Sequence, residues 1–377
     1  MKKKILIVLS YLLVAALAVT GTLYFTGGYS KLDEIESLIE HCFIGEVDMA
    51  AVEDAAANAM VSATNDRWSY YLSAEEYQTH LEQVNNAYVG IGITIQSEGE
   101  EGYRIVDVTA GGPAEEAGLQ IDDLLIRADD QDLRQLEVEA VREIIKGKEG
   151  TTVSVQVLRK GEVRSFNVTR RSVETPVATY EMLTDTIGLI TIANFDTRCA
   201  EESIAAIEEL QKLGAKKLIF DVRYNPGGYA HELVELLDYL LPEGDLFRTV
   251  RYDGKENVDT SDASYLDMPM AVLVNANSYS AAEFFAAALQ EYEAAVIVGQ
   301  QTVGKGYFQT TYVLEDGSAL ALSIGEYYTP KGVNLAGIGI TPDVEVEMTE
   351  EQEAGLYYGT LSPEDDPQIQ AAIAALR

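Results

Sequence analysis

The sequence predicts an α+β multidomain chain on three observations. A charge-free apolar run opens it, a middle stretch of short strand-like segments is broken by glycines, and a later stretch alternates strand-like with helix-like segments. At 377 residues there is room for two or more domains and a sizeable core. Asp and Glu number 62 against 27 Lys and Arg, a net charge of −35. Such a surface repels phosphate backbones, which argues against a nucleic-acid partner.

In "MKKKILIVLSYLLVAALAVTGTLYFTGG", Lys2, Lys3 and Lys4 precede the run Ile5 to Thr26, which contains no Asp, Glu, Lys or Arg. Its length suits one transmembrane helix, with the lysines cytoplasmic and everything after Gly28 outside. Ala16-Leu17-Ala18 offers a cleavage site, so secretion is the alternative. The expected divisions are a signal-anchor over 1–28, a helical region over 29–84, a small mixed domain over 85–172, a core over 173–349 and a helical end over 350–377. Cys42 and Cys199, the only cysteines, make no disulfide scaffold, and their state is open.

Apolar spacings of three and four in "LDEIESLIEHCF" and "MAAVEDAAANAMVSA" predict the first helices. In the small domain, "YVGIGITIQ" and "GYRIVDV" read as strands. "GGPAEEAGL" and "EVEAVREIIKG" read as helices, and "TTVSVQVLRKGEVRSFNVTRR" as a hairpin turning at Lys160-Gly161. From 173, strands in "TIGLITIANF", "KKLIFDVR", "PMAVLVN" and "AAVIVG" alternate with helices in "CAEESIAAIEELQKLGA", "HELVELLDYLL" and "AAEFFAAALQEY", which predicts a largely parallel, helix-covered sheet. The first of those helices shows Ile204, Ile207, Leu210 and Leu213 on one side and stops at Gly214. A hairpin tipped by Asp316-Gly317 follows.

Two serines, Ser278 and Ser280, sit where strand gives way to helix in "VNANSYSAAEFFAAALQEY". Either is a helix cap or a nucleophile whose oxyanion faces the helix N-terminus. "YNPGGYA" places two glycines after a strand, a tight turn or a set of amides open to an anion. "GQQTVGKG" begins like a phosphate-binding loop, yet Gly306 stands where a magnesium-binding hydroxyl belongs and a strand pattern follows, so a nucleoside triphosphatase is rejected. Lys305, between Gly304 and Gly306, is either a solvated loop lysine or, drawn out of water, an amine able to act as a base. Of the histidines, His41 and His80 read as surface or capping residues, and His231 is the rival base. "HELVE" lacks the second histidine of a zinc helix.

Taken in order, "DVRYNPGG", "NSYSAAEFFAAALQ", "TVGKGYFQ" and "YYTPKGVNLAGIGITPDVEV" resemble the motifs of the carboxyl-terminal processing (tail-specific) proteases, with "DPQIQAAIAAL" resembling their closing helix. The resemblance implies a crotonase-like α/β serine peptidase core and a PDZ domain inserted before it over 85–172. By position it makes Ser280 the nucleophile, Lys305 the general base and Gln309 the residue that orients the lysine. It implies oxyanion donors among the backbone amides of Gly227, Gly228 and Ala281. In this sequence Ser278-Tyr279 replaces the family's Ser-Ala, and Ala282 replaces its last serine. Gly90, Ile91, Gly92 and Ile93 correspond to a peptide-carboxylate loop, and Arg170 or Arg171 is a candidate link between PDZ occupancy and the active site. The partners implied are proteins with free apolar C-termini; no metal or cofactor is implied, and helices at both ends raise a homodimer. The rivals are a PDZ-bearing scaffold with an inactive core and a Ser-His hydrolase using His231. A crotonase-like acyl-CoA enzyme fits poorly with export.

Overall fold

The computed structural model describes residues 30–376, so the apolar run over 5–26 and its expected membrane span lie outside the described residues. No helix among the described residues is long and apolar enough to cross a membrane. The chain forms two compact units, one ending at Ser73 and one beginning at Ala74.

In the first unit, α1 (Lys31–Cys42) starts with a capping box. The Ser30 hydroxyl accepts from the Asp33 amide, and the Asp33 carboxylate accepts from the Ser30 amide. Asp48 caps α2 (Met49–Ser62) through the Ala50 amide. A short strand, β1 (Tyr70–Leu72), has no counterpart in the sequence reading; the Tyr71 hydroxyl fastens it to α2 by donating to Asp54 at 2.6 Å. Cys42 in this unit is exposed, Cys199 in the other is buried, and neither forms a disulfide.

The second unit opens with α3 (Ala74–Val84) and β2 (Ala87–Gly90). The small domain follows: β3 (Ile93–Ser97), β4 (Tyr103–Val108), α4 (Pro113–Ala117), β5 (Leu124–Ala128), β6 (Gln131–Asp132), α5 (Val138–Ile145), β7 (Thr152–Arg159) and β8 (Glu162–Thr169). Its sheet runs β3-β4-β5-β7-β8, with β6 beside β5, which leaves β3 at an open edge. Ile91, Ile105, Leu125, Leu133, Val141 and Val155 fill its core. Lys160 and Gly161, both at positive φ, make the two-residue turn from β7 to β8. The chain leaves by β9 (Arg171–Glu174), which pairs antiparallel with β2, so one two-stranded neck carries the domain.

The core comprises β10 (Ala178–Met182), β11 (Ile187–Ile192), α6 (Cys199–Leu213), β12 (Lys217–Asp221), α7 (Ala230–Leu240), β13 (Gly244–Arg251), β14 (Glu256–Ser261), β15 (Met270–Val274), α8 (Ala281–Glu291), β16 (Ala295–Gly299), β17 (Tyr307–Val313), β18 (Ala319–Tyr328) and β19 (Val344–Glu345). After it come α9 (Glu350–Tyr357) and α10 (Pro367–Ala375). One sheet runs β10-β11-β12-β15-β16-β19, parallel except for β10. Its middle strands are continuous apolar runs because both faces are covered. Residues of α6, α7 and α8 cover one face, while Ile369, Ala372 and Ile373 of α10 pack on the other. A second, antiparallel sheet contains β17-β18-β13-β14. The sequence reading names the β17/β18 hairpin but misses β13 and β14; β13 buries the adjacent Leu246 and Phe247 and β14 is mostly exposed, so neither shows a clear alternation. It also errs at Leu213, which is 61% exposed. The chain turns away at Gly214 (φ 109°), and Ala215 takes the interior place.

Because β12 and β15 are adjacent and parallel, the loops after them emerge side by side at the carboxyl edge, where open α/β sheets present their sites. The first loop is anchored from beneath. Arg223, inside the core, donates twice to Asp221 and reaches Asp366 at 2.8 Å and Gln368 at 3.0 Å, so the α10 N-terminus is bonded to the base of the "YNPGG" turn. Asp366→Ala should therefore strip a buried guanidinium of one counter-charge and lower the unfolding free energy by on the order of 3 kcal/mol. A urea titration reads this as a lower midpoint, with Asp366→Asn, which keeps one acceptor, falling less.

Candidate active site

The two serines after β15 have separate roles. Ser278 is fully buried; its hydroxyl donates to the Val222 carbonyl at 2.7 Å and accepts from the Asn275 amide at 3.0 Å. It ties the β15 loop to the β12 loop, and both bonds occupy it. Ser280 is the N-cap of α8 and is 4% exposed. Its φ of 59° and ψ of −127° are strained for a residue with a side chain, the kind of distortion that persists where function needs it. The Ser280 side chain is hydrogen-bonded to the Tyr327 hydroxyl. Burial pushes that phenol up to about 12, so it stays neutral at working pH. Phe247, Phe284 and Phe308 hold its ring, with centroids 5.1 to 5.3 Å away. Sequence reasoning missed Tyr327, since nothing marks one tyrosine among 22.

The "YNPGG" turn lies directly against Ser280. Asn225 is buried, donates to the Ile192 carbonyl, and accepts the Gly227 amide at 2.8 Å and the Tyr279 amide at 3.1 Å. Gly227 (φ 88°) must be glycine: a Cβ there would lie 2.6 Å from Ser280 Cβ and 2.8 Å from the Ala281 nitrogen. At Gly228 a Cβ would meet the Phe195 carbonyl carbon at 2.2 Å. The three amides named from the sequence thus belong to this turn and to the helix start packed against it, but they differ. That of Gly227 is spent on Asn225, whereas those of Gly228 and Ala281 donate to nothing among the described residues. Open amides at a helix N-terminus suit a developing oxyanion.

Lys305 is held in place through its backbone. Gly304 and Gly306 allow close packing of the 334–339 loop, since a Cβ at Gly304 would sit 2.9 Å from the Ile338 nitrogen and one at Gly306 2.5 Å from the Ala336 nitrogen. The organising group is Glu283, one turn into α8 and with no exposed surface. One of its carboxylate oxygens accepts the Ser280 amide at 3.0 Å and the Lys305 amide at 2.9 Å. The other accepts the Gly304 amide at 2.7 Å and the Thr302 hydroxyl at 2.5 Å. Burial raises its pKa, and these four bonds oppose the rise. Nζ of Lys305 lies 6.0 Å from the centroid of Tyr279, the bulky residue beside Ser280. As the strand pattern after Lys305 implied, the chain continues into β17 and not into a helix.

Gln309, on β17, donates from Nε2 to Ser323 Oγ at 3.0 Å and to the Tyr307 carbonyl. His231 is 69% exposed on α7, where it faces Glu232 and the Tyr229 ring. Arg170 donates to the carbonyls of Ile144 and Ile145 at the end of α5, and Arg171 reaches Gly111 and Glu116, so these contacts stay within the small domain. Gly90, Ile91, Gly92 and Ile93 line a groove of about 870 Å³ between β3 and α5. Asp196, which the sequence did not single out, follows the Phe195 that bridges Gly228. Burial, with a smaller contribution from Glu232, raises its carboxyl to about 7.

Glu283→Ala should remove the shared acceptor of the Ser280 and Lys305 amides. Labelling of Ser280 by a serine-directed fluorophosphonate should slow by about 100-fold, the size of a lost positioning contact, while circular dichroism remains that of a folded chain. The Asp196 carboxyl, raised from 3.8 to about 7, binds a proton more tightly folded than unfolded. Its contribution is therefore full below 3.8 and lost as pH rises toward 7. Asp196→Asn should lack that decline, so its Tm should gain on the wild type across this window.

Comparison with known proteins identifies the family and its domains. The pattern of peptidase family S41 matches residues 186–346, and that of the PDZ domain matches residues 89–169. A carboxy-terminal processing protease, CtpA, of Bacillus subtilis (strain 168) is 30% identical over 367 residues, covering 92% of this chain and 78% of the relative. A probable CtpA-like serine protease of Staphylococcus saprophyticus is 29% identical over 358 residues, 91% of this chain and 72% of the relative. Among solved structures, a photosystem II D1 C-terminal processing protease superposes with a TM-score of 0.50 at 24% identity, covering 90% of this chain and 93% of its own. A putative S41 protease from Bacteroides fragilis gives 0.56 at 18%, covering 90% and 96%. The last two show the fold, and the Bacillus relative shows the family: the chain belongs to peptidase family S41, as a carboxyl-terminal processing serine peptidase that carries a PDZ domain.

Proposed function

We propose that this peptidase is anchored in the cell membrane by its N-terminal apolar run and cleaves extracytoplasmic proteins chosen by their C-terminal tails, using Ser280 as nucleophile and Lys305 as general base. One observation carries the dyad: a single Glu283 oxygen accepts the backbone amides of both residues, which couples their positions through two hydrogen bonds. The neutral Lys305 amine takes the Ser280 proton as Oγ attacks the peptide carbonyl. The negative oxygen of the tetrahedral intermediate faces the Gly228 and Ala281 amides, and the lysine ammonium then protonates the leaving amine. Water, activated by the same amine, releases the acyl group. Gln309, on the strand β17 that follows Lys305, orients the lysine in this reading.

Tail selection rests on the small domain. Among the described residues the outer edge of β3 pairs with no strand, so a tail can add as a further strand, with its terminal carboxylate at the Gly90–Ile93 turn and its last side chain against Ile93, Ile95 and Ile145. The anchor is supported by Lys2 to Lys4 before the run from Ile5 to Thr26.

The test is cleavage of a loosely folded protein with an apolar free C-terminus. Ser280→Ala and Lys305→Ala should each lower turnover by at least about 1,000-fold, as loss of a nucleophile or its base does. His231→Ala should leave it unchanged, and the wild-type rate should climb with pH because the base acts as the neutral amine. Retained turnover in Lys305→Ala would refute the dyad.

A further inference from the structure

The tail groove holds a charge pattern that is unexpected in so acidic a chain. Two cations line it, Arg142 of α5 and Lys146 at its C-cap, four residues apart. Lys146, just past the end of α5, is half-buried and forms no ion pair among the described residues, although carboxylates outnumber cations more than twofold. It also lines the adjoining hollow with Ala87 and Tyr88, immediately before the Gly90–Ile93 turn, which places it at the end of the groove where a terminal carboxylate belongs. Arg142 is 59% exposed, and its one ion-pair partner among the described residues, Glu139, is 3.9 Å away, at the limit of an ion pair.

Spacing then fixes what faces Arg142. Four helical residues rise about 6 Å, and two residues of an extended tail span about 6.6 Å. Alternation along a strand sends the last and third-from-last side chains to the same side, toward α5, and the second-from-last to the other. Ile93 and Ile95 pack against the domain core on the α5 side, whereas Thr94 pairs in register with Asp107, a carboxylate that would face the second-from-last side chain. The remaining acid on the groove wall, Glu174, is drawn to Arg198 at 3.6 Å.

Building on the tail-selection reading, we infer that the preferred substrates end in an apolar residue with Asp or Glu at the third-from-last position, read by Arg142. Lys146 attracts the terminal carboxylate. The preference is positional: the same acid one residue later meets Asp107 and gains nothing. It also opposes the chain's overall field, which disfavours acidic tails in general.

The experiment measures binding of short labelled peptides by fluorescence anisotropy to the full chain carrying Ser280→Ala, so that tails are held and not cut. The peptides share an apolar last residue and carry Glu, Gln or Lys third from last, or Glu second from last. Glu at the third-from-last place should bind about threefold tighter than Gln, with Lys weaker still, in the range of an exposed ion pair. High salt should shrink the differences. Arg142→Glu, at an exposed site that leaves the core intact, should invert the order. Equal affinity for the three third-from-last peptides, an equal gain from Glu second from last, or an order that survives Arg142→Glu would overturn the inference while leaving tail selection standing. If no peptide binds, tail selection itself falls and the inference with it.

Discussion

The buried carboxylate of Glu283 is the point on which the site depends. It sits in the first turn of α8, where the helix dipole favours negative charge, and it collects four donors. Two belong to the backbones of Ser280 and Lys305, and a third to Gly304 between Thr302 and Lys305. A carboxylate taken out of water is costly unless each lone pair is used. Satisfying it therefore forces the β15–α8 turn and the 302–305 loop into one register. The strained backbone of Ser280 is compatible with this, because the bond from its own amide to Glu283 helps to hold the strained angles.

Around that clamp the fold works by removing atoms as much as by placing them. Gly227, Gly228, Gly304 and Gly306 each stand where a Cβ would strike a neighbouring backbone or side chain. Two loops and a helix N-terminus can thus meet at van der Waals distance. Asn225 converts this proximity into rigidity by bonding the β11 end, its own turn and the Tyr279 amide at once. Below it, Arg223 ties the same turn to α10, so the end of the chain and the centre of the site share one polar network.

The small domain is joined to the core at its neck as well as by the chain. Arg198, itself at positive φ, donates toward the carbonyls of Asn85, Asn86 and Thr175, and the Asn86 and Asn194 side-chain amides pair reciprocally. Asn194 also accepts the Asp196 amide, one residue from the Phe195 that bridges Gly228. The neck strands and the open Gly228 amide are therefore separated by few bonded residues.

The sequence by itself determined the alternating core and the hairpins at Lys160-Gly161 and Asp316-Gly317, and it put forward Ser280, Lys305 and the paired glycines as candidates. Periodicity, turn chemistry and ordered motifs are local properties that one dimension can carry. Tertiary structure decided the rest. Ser278 and Ser280 look alike until Val222 and Asn275 are seen to occupy the first. The Gly227 and Gly228 amides are equivalent in the string, and only the side chain of Asn225 separates them. Glu283, Tyr327 and Asp196 did not stand out among 62 acids and 22 tyrosines. Glu283 joins Ser280, three residues back, to Thr302, Gly304 and Lys305, 19 to 22 residues on. Tyr327 meets Ser280 from a distant strand, and Asp196 is set apart by burial. Polar groups gain their roles from what surrounds them, and those surroundings come from distant parts of the chain.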